Sequence, residues 1–278
     1  MAIKEIKLSD WKQFGGGGQG DSFFHKTDDS IMLKLFSKRA PLDTVTDEIV
    51  WTENIYNAGI PCVEPGIAVY APEVKRYGII FKRIHNKKSL CRAIADDPSC
   101  TAEMAEKLSE MAKILHGSTA DKSKFNNIKS LFAGYLAENE SLSPDMRRRC
   151  EEALAGIPEG DRLVHGDFHF GNVITDGQRD YLIDLSTFGY GNPDWDISMQ
   201  FLVSHSNGDK MIEYLFHVTD EQAFAFWKEF KADYYGSDAP SDEELFIRFK
   251  PYMLLRTLFF EHDRGPDPHV AAMREAFV

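Results

Sequence analysis

Leu163-Val164-His165-Gly166-Asp167-Phe168-His169-Phe170-Gly171-Asn172-Val173-Ile174 is the stretch that decides the reading of this 278-residue chain. Four residues separate Asp167 from Asn172, and His165 stands two positions before the aspartate. Apolar runs flank them, so the polar residues read as a loop between short strands. Asp176-Gly177 then supplies a hairpin turn signal. The returning strand Tyr181-Leu182-Ile183 ends at Asp184. The pattern therefore delivers an ordered set of His, Asp, Asn and Asp across one strand–turn–strand unit.

Any one of these residues alone reads as an ordinary loop or cap residue. The set reads as chemistry. Hard oxygen ligands such as an asparagine carbonyl and a carboxylate suit Mg²⁺. A second carboxylate in the same loop can orient or deprotonate a hydroxyl while the cation neutralises phosphate charge. The spacing H-x-D-x-x-x-x-N is that of a kinase catalytic loop, with Gly166 where protein kinases carry arginine.

Outward from this centre, the N-terminal part reads as strands with one helix. Phe23-Phe24-His25 and Ile31-Met32-Leu33-Lys34-Leu35-Phe36 are strand-like runs around the turn residues Asp28-Asp29-Ser30. Thr46 to Ala58 has near-helical spacing of Ile49, Val50, Ile55 and Tyr56, and Gly59 stops it. Gly66 to Tyr70 and Tyr77 to Phe81 are two further strand-like runs. From about residue 87 the pattern turns helical, with an apolar face of Met104, Ala105, Leu108, Met111, Ala112 and Leu115. Ser143-Pro144 and Asn192-Pro193 open later helices, and Glu221–Phe230 and Glu243–Phe260 continue the pattern. The fold class is α+β and bilobal: an antiparallel-sheet lobe with one helix over residues 1–83, then a mainly helical lobe over 84–278. A crevice between two such lobes is a favoured place for a ligand.

Gly15-Gly16-Gly17-Gly18-Gln19-Gly20 precedes the first strand pair. Glycines let a backbone approach phosphates closely, which makes Gly16, Gly17 and Gly18 candidate nucleotide contacts. Lys34 follows one hairpin later, on the strand face of Met32 and Phe36. A lysine on an apolar face needs an anionic partner.

His165-Gly-Asp-x-x-x-x-Asn172, Ile183-Asp184 and Gly189-x-Gly-x-x-Asp194-x-Asp196 together resemble the aminoglycoside phosphotransferase and choline kinase-like superfamily. The wording Phe188-Gly189-Tyr190-Gly191-Asn192-Pro193 resembles a bacterial branch of uncharacterised phosphotransferases within it. The resemblance spans nearly the whole chain and implies a protein kinase-like fold. It implies Asp167 as the catalytic carboxylate, His165 as its support within the loop, and Asn172 and Asp184 as Mg²⁺ ligands. It implies Glu48 as the carboxylate that pairs with Lys34, with Glu53 as the runner-up. Asp196 would brace the loop, and Phe81, Lys82 and Arg83 would lie where the nucleobase meets hinge backbone. The implied activity is Mg²⁺-dependent transfer of the γ-phosphoryl group of ATP or GTP to a small-molecule hydroxyl: an aminoglycoside, an amino alcohol or a sugar. Acceptor contacts are expected among Glu261, Asp263, Asp267, Asp238, Asp242, Glu243 and the aromatics Trp195, Trp227 and Tyr252.

Bulk properties narrow the alternatives. The formal charge of −12 disfavours a nucleic-acid partner and weakly favours a cationic acceptor. No apolar run reaches the roughly 20 residues of a membrane span, and the N-terminus lacks a secretory core, so the expected compartment is the cytoplasm. Four scattered cysteines without a C-x-x-C pair argue against a disulfide framework or a thiolate metal site. A nucleotide-binding regulatory module without turnover and a protein kinase are the alternative readings. Gly166 and the short Asp184–Asp196 stretch, which lacks an A-P-E motif, count against the second.

Overall fold

The computed structural model describes residues 3–17, 20–206, 210–262 and 265–278. Gly18 lies outside the described residues. The chain forms two compact units: residues 1–87 with 174–186, and residues 88–173 with 187–278.

The first unit is built on a six-stranded sheet. Its strands are β1 (Lys4–Glu5), β2 (Trp11–Gly17), β3 (Gly20–His25), β4 (Ile31–Phe36), β5 (Ile67–Ala71) and β6 (Arg76–Lys82). Their order across the sheet is β1-β5-β6-β4-β3-β2. All pairings are antiparallel except the short parallel contact of β1 with β5. Side chains alternate between faces, so the sheet supports two apolar clusters. One holds Trp11, Phe23, Leu33, Leu35, Val69 and Ala71. The other holds Phe36, Ala68 and Ile79 against Val45 and Ile49 of helix α1 (Leu42–Asn57).

Two sequence expectations change here. Helix α1 starts four residues before the expected Thr46, behind Pro41. Its buried stripe is Val45, Ile49, Thr52 and Ile55, whereas Val50 and Tyr56 are exposed. The four-residue spacing of Val45 and Ile49 sets the stripe, and Val50 lies a quarter-turn off it. The glycine run is not wholly a loop: Gly15, Gly16 and Gly17 are the last residues of β2, paired with Ser22, Asp21 and Gly20. The hairpin of Val173–Thr175 and Asp180–Leu182 completes the unit. Its turn forms because the Asp176 carboxylate accepts from the N–H groups of Gln178 and Arg179. Gly177 takes the left-handed conformation between the strands (φ +88°). The hairpin is tied to the rest of the unit by Leu182 N–H to Pro61 O (2.8 Å) and Trp51 Nε1–H to Leu185 O (3.0 Å).

The second unit is mainly helical: α2 (Leu90–Asp96), α3 (Thr101–Gly117), α4 (Ile128–Glu138), α5 (Pro144–Gly156), α6 (Asp194–His205), α7 (Met211–Phe216), α8 (Asp220–Tyr235), α9 (Asp242–His262) and α10 (Pro268–Ala276). Helix α3 packs on α8, and α9 packs on α4, α5, α6 and α10. Side-chain caps start several of these helices. Ser143 caps α5 with Pro144 in the first turn, and Thr219 with Gln222 forms a capping box on α8. A two-stranded antiparallel ribbon, Arg162–Val164 with Gly189–Gly191, holds both ends of the segment that matters most.

Candidate active site

The loop after Val164 is fixed by burial before any polar contact forms. Phe168 and Phe170 are fully buried. Their burial pins the intervening backbone and leaves Asp167, His169 and Asn172 in a defined register. Phe170 N–H donates to Gln200 Oε1 of α6 at 2.9 Å.

Asp196 is the second anchor. It is fully buried in the first turn of α6, and its two oxygens accept the N–H groups of His165 and Gly166 at 2.8 Å each. His116 of α3 lies 3.1 Å from the same carboxylate through Nε2, and its Nδ1 meets the Tyr234 hydroxyl at 2.7 Å. A buried carboxylate that satisfies two loop donors is a strong brace. Gly166 shows why the loop has no arginine at that place. Its φ is +80°, and a Cβ would stand 2.3 Å from Thr187 O. Thr187 also donates through Oγ1 to His165 O.

His165 is itself fully buried, and its Nδ1 accepts from Asp167 N–H at 3.3 Å. It therefore meets loop backbone, which suits a supporting role. Asn172 donates through Nδ2 to Asp167 O (2.8 Å) and to Asp167 Oδ2 (3.2 Å). That use of the NH₂ leaves its carbonyl oxygen as the group it can offer a cation. His169 Nδ1 accepts from Gly171 N–H, and its Nε2 lies 3.8 Å from Asp167 Oδ2. Burial pushes the Asp167 carboxyl up. The charges of His169, Arg256 and His165 and the Asn172 hydrogen bond outweigh it and hold the group below the ordinary carboxylate range. Asp167 is thus a carboxylate at neutral pH.

Asp184, Lys34 and Glu48 belong to the first unit. Lys34 Nζ lies 2.8 Å from both Glu48 oxygens. Its face also carries Phe24, Met32, Phe81 and Ile79 through the strand registers. Asp184 is exposed, follows the hairpin directly, and adopts a left-handed conformation (φ +59°). An aspartate there carries local strain of the kind that collects at functional positions. Ser186 Oγ donates to its Oδ1 at 3.5 Å. Arg83 pairs with Asp29 and stacks on Phe24, with its guanidinium carbon 3.9 Å from the ring centroid, and Phe14 stacks on the other aromatic at 3.8 Å. Asn172 in the second unit and Asp184 in the first each offer a hard oxygen of the kind Mg²⁺ takes.

Asp238 and Glu243 are exposed, whereas the other described candidates for acceptor contact are buried or half-buried. Glu261 is buried against Arg274 and Asn139. Asp267 caps α10, and Asp242 accepts from Trp227 and Lys231. Trp195 stacks on Phe132, and Tyr252 meets Trp195 edge-on. Each is taken up in joining helices, because buried polar groups need partners and large rings fill cores. Asp263 lies outside the described residues.

A cavity of about 530 Å³ opens instead between α4 and α9, lined by Tyr135, Glu138, Asn139, Glu140, Glu261 and His262. The Tyr135 and His262 rings lie 4.4 Å apart within it. The sequence reading missed this cavity and also Arg256, which is buried with Nη1 3.9 Å from Asp167 Oδ1. Nothing in local spacing marks a residue some ninety positions downstream as a neighbour of the loop.

A sequence profile described as the phosphotransferase enzyme family matches residues 10–230. No curated protein matches the chain in sequence. Among solved structures, an aminoglycoside phosphotransferase in ternary complex with AMP-PNP and hygromycin B is similar, with TM-score 0.63, 16% identity, and coverage of 97% of this chain and 93% of that one. Amicoumacin kinase in complex with AMP-PNP, Ca²⁺ and its antibiotic is similar at TM-score 0.62 and 14% identity, covering 99% and 88%. A choline/ethanolamine kinase family protein from Mesorhizobium loti gives TM-score 0.54 and 17% identity, covering 96% and 85%.

Proposed function

Because the chain belongs to the phosphotransferase enzyme family and is a small-molecule kinase, we propose that it moves the γ-phosphoryl group of ATP or GTP onto a hydroxyl of an amine-bearing acceptor. The carrying observation is Asp167. It is a carboxylate held ionised in a braced loop, with Oδ2 beside Asn172 and the rest of its shell closed.

In this reading the acceptor oxygen attacks the γ-phosphorus while the bond to the β–γ bridging oxygen breaks. The nucleoside diphosphate leaves with that electron pair. The hydroxyl proton passes to Asp167 Oδ2. Asn172 and Asp184 are the residues that would hold Mg²⁺, which when bound supplies charge neutralisation on the phosphates. Lys34, oriented by Glu48, is the candidate phosphate contact. Gly16 and Gly17 at the end of β2 are the candidate backbone contacts, and Phe81 and Arg83 lie at the candidate nucleobase position.

The α4–α9 cavity supports the acceptor class. Glu138 and Glu140 are carboxylates that face solvent there, and the Tyr135–His262 pair gives an aromatic wall. Such a surface suits ammonium groups.

A nucleotide-consumption screen tests the proposal, using aminoglycosides, amino alcohols, neutral sugars and nucleosides with ATP and with GTP. Turnover with an amine-bearing acceptor and a phosphorylated product by mass is the expected result. Turnover confined to neutral sugars would refute the acceptor class, and phosphorylation of protein substrates alone would refute the small-molecule reading.

A further inference from the structure

Arg256 stands out because its burial is unpaid by hydrogen bonds. It is 2% exposed on α9, and neither Nη1 nor Nη2 has a hydrogen-bond partner. Its guanidinium carbon lies 5.0 Å from the Phe132 ring and 5.4 Å from the Phe259 ring. Aromatic faces offset part of the loss of water, but a guanidinium without hydrogen bonds remains costly in a core. A retained buried charge calls for a partner, and the only acidic group within ion-pair distance among the described residues is Asp167.

The burial also decides which side of Asp167 the arginine occupies. Asp167 Oδ1, Nη1 and Nη2 are all closed to solvent and free of hydrogen bonds. The contacts of the opposite oxygen, Oδ2, are Asn172 Nδ2 at 3.2 Å and His169 Nε2 at 3.8 Å. Arg256 therefore stands behind the carboxylate, and Oδ2 is the oxygen left for reactants.

We propose that Arg256 is a positioning residue for phosphoryl transfer: its guanidinium holds Asp167 from the core side through Oδ1 and so turns Oδ2 toward the acceptor hydroxyl. The inference rests on the reading of Asp167 as the catalytic carboxylate. A positive charge fixed behind a carboxylate restrains its rotation without competing for the oxygen that takes the proton. The absence of a hydrogen bond at 3.9 Å means that the restraint is electrostatic and steric.

The test pairs two substitutions, Arg256→Met and Arg256→Lys, with Asp167→Asn. The first readout is the midpoint of thermal unfolding of the ligand-free protein. Arg256→Met is expected to lower it by several degrees when Asp167 is present, by leaving a buried carboxylate unpaired, and to have little effect in the Asp167→Asn background. An equal loss in both backgrounds would mean that Arg256 serves packing alone and would overturn the proposal. The second readout is Mg·ATP turnover, with the acceptor found in the screen or with water. Arg256→Met should lower kcat about 100-fold with KM for nucleotide nearly unchanged, the scale of loss for a misplaced catalytic group. Arg256→Lys, which keeps the charge, should recover much of that loss. A fully active Arg256→Met beside an inactive Asp167→Asn would overturn this inference and leave the catalytic reading intact. A fully active Asp167→Asn would overturn the catalytic reading itself.

Discussion

At the scale of single residues, the loop contains two positions where one atom decides the outcome. Asp167→Asn keeps the shape and the Asn172 contact but removes the proton acceptor. Turnover should fall by about 10²–10⁴-fold, the usual share of a general base, while nucleotide affinity measured by calorimetry stays near wild type. Gly166→Ala is a test of geometry instead. A methyl group there combines a left-handed φ with a 2.3 Å approach to Thr187 O. Strain of that kind costs about 1–3 kcal/mol, which should appear as a lower denaturation midpoint with an unchanged slope. Asp167, Asn172 and Asp184 were legible in the sequence because their spacing is local. The strain at Asp184 was not, since nothing in its neighbours calls for a positive φ. Arg256 and Phe14 were invisible for a different reason: they meet their partners only through tertiary packing.

At the scale of elements, helix α6 and the loop form one device. Asp196 serves the helix N-terminus and the loop backbone together. Asp196→Ala would strand two buried N–H donors and the ring of His116. A loss of about 3–5 kcal/mol is expected in urea unfolding, as for other broken buried pairs, with activity lost in parallel. A second joint, between α8 and α9, carries a pH signature. Burial pushes the Asp242 carboxyl up, but hydrogen bonds from Lys231 and Trp227 and the nearby charges draw it below its ordinary value. A lowered native value means that the stabilisation is present above the unfolded pKa of about 3.9 and is lost as pH falls through the native one. Asp242→Asn should therefore flatten the acid limb of the stability curve below about pH 4 and change little between pH 6 and 8. The helices were readable from periodicity and caps. The stripe of α1 shifted because β-branched and aromatic residues occur on both of its faces. The terminal part of β2 was missed because glycine suggests a loop, whereas pairing with β3 supplies the strand from outside.

At the scale of the whole molecule, the α+β organisation followed from the order of strand-like and helical segments, and its kinase-like character from the motif resemblance. One departure is the parallel contact of β1 with β5, which two residues could not announce, and another is that residues 174–186 join the first unit. Acceptor recognition was the least legible part, because Glu261, Asp242 and Asp267, which look available in the sequence, are bonded to Arg274, Lys231 and a helix N-terminus in the fold. Binding should also be visible in stability. Mg·nucleotide at about 100 times its dissociation constant should raise unfolding free energy by roughly 2.7 kcal/mol. Asp184→Ala should abolish the metal-dependent part of that gain in a thermal-shift titration, while nucleotide alone still gives its smaller shift.

The split make-up of the first unit has a consequence for how the chain is born. Residues 174–186 belong with residues 1–87, and Trp51 and Pro61 find partners in Leu185 and Leu182. During synthesis the sheet emerges long before that hairpin exists. At about 5–20 residues per second, the gap from Lys87 to Ser186 leaves the early unit unfinished for roughly 5–20 s. Asp184 arrives on the last piece to be delivered. The nascent chain thus carries Lys34 and Glu48 for that interval without the hairpin, and gains the exposed Asp184 carboxylate only as the unit is completed.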